Sequence, residues 1–266
     1  MLPTRRLCFA LASATALLAL GGAAATQPLT AEAGGGSVLW TGDFDPGSLS
    51  QWQGVQRAEE ERIQVVDSPT DQGSHAARFE VREGDVAAAG SGNGNRAEVL
   101  ARRKKPGSSW PDGKGTERWY GWSTLFPDDY PVVDGWQTFV QWKNEGPGSS
   151  PLVMQVDEDR LYLQHRTDGG SSTKLYKTSL ERGEWQHFVV HVKWHTDRNN
   201  GFVELWHNGE KVLDRTGVST MYRDGSGNAV PNYLKQGLYR SSGIEEDQIL
   251  YQDAMRVGTS YEEVAP

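Results

Sequence analysis

The sequence predicts an all-β fold, a sandwich of two antiparallel sheets. Helical periodicity is hard to find after residue 38, whereas short runs of alternating character recur and are separated by Gly, Pro, Asn or Asp. Ten such runs in one domain are typical of a β-sandwich. The 10 tryptophans and 9 tyrosines fit this prediction, because sandwiches that bind sugars place aromatic rings in their grooves, although core packing alone can account for many of them.

The predicted strands follow one another to the end of the chain. In order, they are HAARFEVRE, RAEVLARR, RWYGWSTLFP, GWQTFVQWK, PLVMQV, RLYLQHR, EWQHFVVHVKW, GFVELWHNGEKVL, YLKQGLYR and MRVGTS. No Pro-rich or charged linker divides them. We therefore expect residues 38–266 to form one domain.

The first 25 residues have the layout of a secretory signal peptide. Arg5 and Arg6 precede the apolar stretch LCFALASATALLAL, and small residues ending at Ala25 form the expected cleavage site. The apolar run is too short for a comfortable membrane span, so we expect a secreted, extracellular protein. Residues 26–37 are expected to be a flexible leader. Cleavage would remove Cys8, the one cysteine, which excludes disulfides and thiol chemistry.

The charge balance is acidic. The chain has a net charge of −8, and loss of the two signal-peptide arginines would lower it to −10. This excess argues against a nucleic acid or an anionic membrane as partner. A local basic run can still bind an acidic ligand or be a solvated charge run. It consists of Arg102, Arg103, Lys104 and Lys105.

The stretch EWQHFVVHVKWH predicts a strand of an outer, convex sheet. Its apolar face consists of Phe188, Val190, Val192 and Trp194. The opposite face, expected to meet solvent, carries His187, His191, Lys193 and His195. Histidines four positions apart on a strand are about 13 Å apart and cannot share a metal ion. We therefore expect no metal site here.

Three other predicted strands combine an apolar face with a face of polar or aromatic groups. In NRAEVLAR, one face has Ala97, Val99 and Ala101, and the other has Arg96, Glu98, Leu100 and Arg102. In WQTFVQWK, Val140 and Trp142 oppose Gln137, Phe139, Gln141 and Lys143. In YLKQGLYR, Leu234 and Leu238 oppose Tyr233, Lys235, Gly237 and Tyr239. Because successive side chains on a strand alternate between faces, the polar sets are expected to line a groove.

These three stretches resemble motifs of the jelly-roll polysaccharide lyases, namely the alginate lyases and the related glucuronan and heparin lyase I-like enzymes. RAEVLAR resembles the strand R-x-E-L-R, with Arg96 and Glu98 in register. QWK at 141–143 resembles Q-x-H. YLKQGLYRS resembles Y-x-K-x-G-x-Y-x-Q, with Ser241 where glutamine is usual. The order of the three motifs along the chain agrees with the order in these lyases. The intervening YGWSTLFP and the VELWHNGEKV hairpin also resemble their sequences.

The resemblance implies a β-jelly roll, a concanavalin-like sandwich whose concave sheet holds a polyuronide in a groove. The reaction it implies is β-elimination, in which a base removes the C5 proton and an acid protonates the leaving oxygen on C4. Arg96 and Gln141 are the candidates that neutralise the substrate carboxylate. Tyr239 is the candidate acid, with Lys235 as a cationic neighbour. Glu98, Gln137, Tyr233 and Arg102 complete the expected substrate-binding set.

The departure from the motif is Lys143, which occupies the position of the histidine often assigned as base. Lysine is more suited to bind substrate charge, because its usual pKa of about 10.4 disfavours a neutral amine. Tyr239 would then be both base and acid. This requires the C5 proton and the C4 oxygen to leave from the same side of the ring, as in glucuronate and mannuronate but not in guluronate or iduronate. Gly237 is expected to leave room for the sugar ring.

Two other functions stay open at this point: a non-catalytic carbohydrate-binding module and a glycoside hydrolase. A hydrolase needs two facing carboxylates about 5 to 10 Å apart. Glu98 is the one acidic side chain on the three polar faces, and its arginine neighbour favours a salt bridge. The segment VDEDR, residues 156–160, is either a structural calcium site or a polar hairpin turn. We expect no required cofactor, an acidic polysaccharide as partner, and a monomer.

Overall fold

The computed structural model describes residues 36–87, 94–101 and 113–266. These residues form fifteen β-strands and one 3-10 turn, Glu60–Arg62. The strands are β1 (Val38–Gly42), β2 (Gly54–Arg57), β3 (Ile63–Val66), β4 (Ala76–Val81), β5 (Asn95–Ala101), β6 (Glu117–Leu125), β7 (Gln137–Asn144), β8 (Leu152–Asp157), β9 (Arg160–Arg166), β10 (Ser172–Ser179), β11 (Trp185–Lys193), β12 (Phe202–His207), β13 (Glu210–Thr216), β14 (Asn232–Arg240) and β15 (Gln248–Gly258).

Some predicted features lie outside the described residues. They are the signal peptide at 1–25, the leader up to residue 35, and the basic run that begins at Arg102. In the part of the chain that is described, no helix is both long and apolar enough to cross a membrane.

The strands form two antiparallel sheets, which confirms the predicted all-β fold. The seven-stranded sheet has the order β10-β9-β8-β7-β14-β5-β2. The eight-stranded sheet has the order β13-β12-β11-β6-β15-β4-β3, with β1 paired to β15. The strands with polar faces, β5, β14 and β7, are therefore direct neighbours in one sheet.

The core between the sheets is rich in aromatic rings. Trp122 of β6 packs against Trp142 of β7, with ring centroids 6.0 Å apart, and thus joins the two sheets. Trp122 also stacks on Phe188 of β11 at 5.3 Å. All three side chains are fully buried, where each large ring removes much apolar surface from water. Many of the aromatic residues therefore serve the core rather than a groove.

Strand β11 has the predicted alternation, with one departure. Its apolar set faces the core, and it belongs to the eight-stranded sheet, opposite β5, β14 and β7. His191, however, is buried rather than solvent-facing. Its ring stacks on Trp119 at 3.8 Å and bonds to Glu117 at 2.8 Å and Glu204 at 2.5 Å.

Strand β7 departs from regular alternation at Phe139. The pairing register shifts between Thr138 and Val140, as in a β-bulge, so Phe139 and Val140 both join the core. Since an extra residue reverses the phase of the preceding positions, Gln137 lies beneath the sheet and Thr138 faces outward. The prediction that Gln137 and Phe139 share a face with Gln141 was wrong for this reason.

Candidate active site

A cavity of about 770 Å³ lies on the outer face of the seven-stranded sheet. Its walls come from six neighbouring strands, β2, β5, β14, β7, β8 and β9, and from the loop after β7. Five predicted site residues with basic, amide or phenol groups line it together: Arg96, Gln141, Lys143, Lys235 and Tyr239. Tyr233 lines it as well. Their positions agree with the predicted alternation, whereas their chemical roles stay predictions.

Glu98 is the centre of a buried hydrogen-bonded network under the cavity. Its carboxylate forms an ion pair with the Lys235 ammonium, accepts a hydrogen bond from Gln141 Nε2 at 2.5 Å, and lies 3.4 Å from Arg96 Nη1. The three partners come from β14, β7 and β5, because side chains on the same face of adjacent strands are close neighbours. The predicted salt bridge of Glu98 is thus present, and its carboxylate is 2% exposed.

The Lys235 ammonium is almost completely enclosed. Burial lowers its pKa from the ordinary value, the Glu98 carboxylate opposes that change, and the nearby Arg96 charge adds to it. Lys235 and Arg96 thus place two cations beside one carboxylate, leaving an excess of positive charge at the floor of the cavity. A substrate carboxylate placed there would compensate that excess.

The Gln141 amide is held in one orientation. Its Oε1 accepts a hydrogen bond from Ser150 Oγ at 2.5 Å, while its Nε2 donates to Glu98. An amide nitrogen has two N–H donors. Within the described ranges no second acceptor engages Gln141 Nε2, so its other N–H can donate to a ligand in the cavity.

The Tyr239 ring is positioned by contacts with a cation and with an aromatic ring. The Arg96 guanidinium carbon lies 3.8 Å from its centroid, and the Trp136 ring packs edge-on at 4.7 Å. Lys235 Nζ lies 5.9 Å from the same centroid. Because Tyr239 is paired to Arg96 and Thr138 on the flanking strands, its ring is fixed at the centre of the sheet.

Lys143 is held by the loop that follows its own strand. Its Nζ donates to Asn144 O, Asn144 Oδ1 and Gly146 O, each at 2.7 Å. Three acceptors match the three N–H donors of an ammonium, and a neutral amine could satisfy only two of them. This geometry fits a protonated lysine that fastens the loop, and it disfavours a basic amine.

Gly237 has a different role from the one predicted. Its φ is +128°, and an added Cβ would lie 2.3 Å from Ala97 O and 2.8 Å from the Phe79 ring. The glycine is required because β14 and β5 approach closely and because residues with a side chain rarely adopt this backbone conformation. The contacts lie within the protein, so room for a sugar ring is not the reason for the glycine.

Sequence reasoning missed several residues of the cavity wall. Thr138 was hidden by the bulge in β7, and Trp136 lies just before that strand. Gln155 on β8 and Arg166 on β9 were missed because PLVMQV and RLYLQHR show no recognised motif. A polar alternation through Gln155, and through Gln164 and Arg166, was the available signal. Gln137, by contrast, bonds to Tyr130 Oη at 2.8 Å and to Gln248 Nε2 at 2.5 Å inside the protein.

The acidic segment at 156–160 forms the turn of the β8–β9 hairpin. Asp157 Oδ1 accepts a hydrogen bond from Gly135 N at 3.1 Å, and Asp159 pairs with Arg160 at 3.1 Å. Over the described ranges, no group of three or more His, Cys, Asp or Glu side chains is arranged to hold a metal ion. Calcium binding at the turn stays a prediction.

Comparison with known proteins assigns this fold and cavity to a class. A protein-family model described as "polysaccharide lyase" matches residues 44–256. This chain therefore belongs to the polysaccharide lyase family. It is thus an enzyme that acts on a polysaccharide. A search of curated proteins found no matching sequence.

Solved structures show the same jelly-roll fold. An endo-β-1,4-glucuronan lyase from the fungus Trichoderma reesei is 20% identical, with a TM-score of 0.68 over 86% of this chain and 99% of that chain. Alginate lyase vAL-1 from Chlorella virus is 12% identical, with a TM-score of 0.55 over 84% and 100% of the two chains. A GH131 β-glucanase catalytic domain from Podospora anserina is also 12% identical, with a TM-score of 0.57 over 86% and 98%.

Proposed function

We propose that this polysaccharide lyase is a secreted, monomeric enzyme that cleaves a polyuronide of the glucuronan or mannuronate type by β-elimination. The main observation that supports this proposal is that one cavity is lined by Tyr239, Arg96, Gln141 and Lys235. No histidine occurs in the described lining of that cavity. The similarity to a glucuronan lyase fold supports the choice of substrate.

The first chemical task is to make the C5 proton acidic. Negative charge must build on the neighbouring carboxylate as the proton leaves, and preorganised donors stabilise it. Arg96 supplies a charged donor and Gln141 a neutral one. The Glu98 network holds both in place before substrate arrives, so little reorganisation is needed during the reaction.

The second task is to move a proton from C5 to the leaving oxygen on C4. Tyr239, as phenolate, takes the proton from C5; the C5–H electrons form the C4=C5 double bond; and the bond from C4 to its oxygen breaks. The same phenol then returns the proton to the leaving oxygen. Because Lys143 Nζ is engaged with three acceptors of its own loop, we assign both steps to Tyr239. A single residue can do this where the proton and the oxygen lie on the same side, as in glucuronate and mannuronate.

The two other functions have less support. Family membership disfavours a module that merely binds carbohydrate. The β-glucanase shows that this fold also occurs in a hydrolase, but hydrolysis uses two facing carboxylates. Glu98 is already bound to Lys235, Gln141 and Arg96 and lies buried below the cavity.

The test is to incubate the purified protein with glucuronan, polymannuronate, polyguluronate and heparin while ultraviolet absorbance of the unsaturated product is followed. We expect absorbance to rise with glucuronan or polymannuronate and not with polyguluronate. A preference for polyguluronate would contradict the single-tyrosine mechanism. Binding of glucuronan without cleavage of any polymer would favour the carbohydrate-binding module. Detection of the protein in the culture medium of an expressing host would test secretion.

A further inference from the structure

Arg166 lies at the far side of the same cavity from the reacting centre. Tyr239 is on β14 and Arg166 is on β9, with β7 and β8 between them. Three strand intervals separate the two backbones by about 14 Å. This separation is longer than one sugar unit, so the two residues are placed to meet different units of one chain.

The Arg166 guanidinium is held by neutral groups. Its Nη2 donates to Gln164 Oε1 at 2.9 Å and to Gln155 Oε1 at 3.3 Å. Gln155 is itself oriented, because its Nε2 donates to Thr138 Oγ1 at 2.6 Å. Among the described residues, no carboxylate forms a salt bridge with Arg166, and no hydrogen bond engages its Nε or Nη1.

A half-buried cation with neutral neighbours lowers the stability of the folded protein unless an anion compensates its charge. Burial lowers the pKa of Arg166, and the neighbouring Tyr222 and Tyr162 oppose that change. The other described basic side chains of the cavity have partners within the protein. Arg96 and Lys235 pair with Glu98, and Lys143 fastens its loop. Arg166 is thus built to receive an anion from outside the protein.

Resting on the proposed function, we infer that Arg166, oriented by Gln155 and Gln164, forms a distal subsite that binds the carboxylate of a uronate unit several positions from the bond that is cut. A polyuronide repeats a carboxylate at every unit, so a chain that crosses the sheet from Tyr239 presents one near β9. Guanidinium donors bind carboxylates strongly. The subsite therefore favours long substrates over short ones.

Binding measured without turnover tests this subsite directly. In a Tyr239→Phe background, calorimetry compares the affinities for uronate oligomers from dimer to hexamer, with and without Arg166→Gln. Loss of one charge-assisted contact should weaken binding of the longest oligomer about tenfold. Binding of the dimer should change less than twofold. Arg160→Gln on the same strand is the matched control, because its side chain bonds to Ser179 and Asp159 away from the cavity.

Kinetics of the active enzyme supply a second readout. Arg166→Gln should raise KM for the polymer with a smaller effect on kcat, and should reduce the sensitivity of KM to salt. Arg166→Lys, which keeps the charge, should recover part of the affinity and covers the case in which the glutamine variant does not fold. An equal loss for dimer and hexamer, or a loss confined to kcat, would overturn the subsite. If the wild type cuts no polyuronide yet oligomer binding still depends on Arg166, the proposed function fails and the subsite stands.

Discussion

In the proposed mechanism, Tyr239 has the central chemical role among the residues of the cavity. Tyr239→Phe removes the hydroxyl that transfers both protons, so kcat should fall by about 10²–10⁴-fold, the usual contribution of general acid–base catalysis. The ring contacts with Arg96 and Trp136 remain in the variant, and substrate affinity should therefore survive. Kinetics on the preferred polymer, with oligomer binding by calorimetry, would measure both.

Tyr251→Phe is the matched control for that variant. Tyr251 lies on β15 in the eight-stranded sheet, away from the cavity. Its hydroxyl should therefore be dispensable for turnover. A Tyr239→Phe enzyme with near-normal kcat would remove Tyr239 from the mechanism.

Lys143→Ala should give the opposite kinetic pattern. The variant releases Asn144 and Gly146 from the ammonium that fastens them, and both residues line the cavity. Because the loop contributes to binding rather than to proton transfer, KM should rise several-fold while kcat changes less. Steady-state kinetics measure the split. Abolished turnover at saturating substrate would show that Lys143 takes part in the chemistry after all.

At the scale of elements, the close approach of β14 and β5 makes Gly237 a structural requirement. Gly237→Ala should reduce the free energy of unfolding by roughly 2 kcal/mol or more, since it forces a strained φ and a clash with Ala97 O. Gly225→Ala is the control, because nothing lies within 4 Å of its added Cβ. It should change stability by at most about 0.5 kcal/mol. Chemical denaturation compares them, and equal stabilities would refute the packing argument.

The histidines on and just after β11 are expected to affect the stability of the protein but not its activity. Replacing His187, His191 and His195 with glutamine should leave kcat nearly intact, because His187 and His191 lie on β11 in the sheet opposite the cavity and His195 follows the end of that strand. Stability should fall by about 2 kcal/mol, since His191 loses its stacking on Trp119 and its paired hydrogen bonds. Activity per folded molecule and thermal unfolding are the measurements. A hundredfold loss of kcat in a folded variant would contradict the assignment of the two sheets.

The sequence predicted the regular strands better than the irregular, short or exposed ones. All ten predicted runs contain strands. The side chains of β5 and β14 alternate as predicted, although the pairing of β14 with β7 shifts between Gln236 and Tyr239. Arg96, Lys235 and Tyr239 were therefore placed correctly on one face. The bulge at Phe139 could not be seen, because a shift of one residue leaves no mark in composition. Strands β1, β2, β3 and β10 were missed since they are short or largely exposed and carry little apolar patterning.

At the scale of the whole molecule, two buried ionisable groups affect stability in opposite directions as pH changes. Burial, together with a smaller contribution from nearby His187, lowers the pKa of His207 to about 4. Burial raises the pKa of Asp253 to about 6, against the hydrogen bonds that its carboxylate accepts from Gln72, Asp71 and Ala254 backbone N–H groups. Between pH 4 and pH 6 the folded state binds fewer protons at His207 and more at Asp253 than the unfolded state does.

The His207 contribution can be isolated with a variant. Unfolded histidine gains its proton near pH 6.5, whereas folded His207 resists until about pH 4, so His207 costs stability as pH falls below 6.5. Between pH 7 and pH 5 the wild type should lose about 2 kcal/mol relative to His207→Gln. Denaturation of both proteins at the two pH values measures this difference. A difference independent of pH would show that His207 titrates normally when folded.

The contrast between the charge of the molecule and the charge of its cavity affects how the enzyme moves through its substrate. The chain as a whole has a net charge of −8, whereas Arg96, Lys143, Arg166 and Lys235 face the cavity with Glu145 as the acidic residue of its described lining. The proposed substrate is a polyanion, so a matrix of its chains repels most of such a surface. We therefore expect the enzyme to diffuse through this matrix without adsorbing, so that a chain is retained mainly where it is cut.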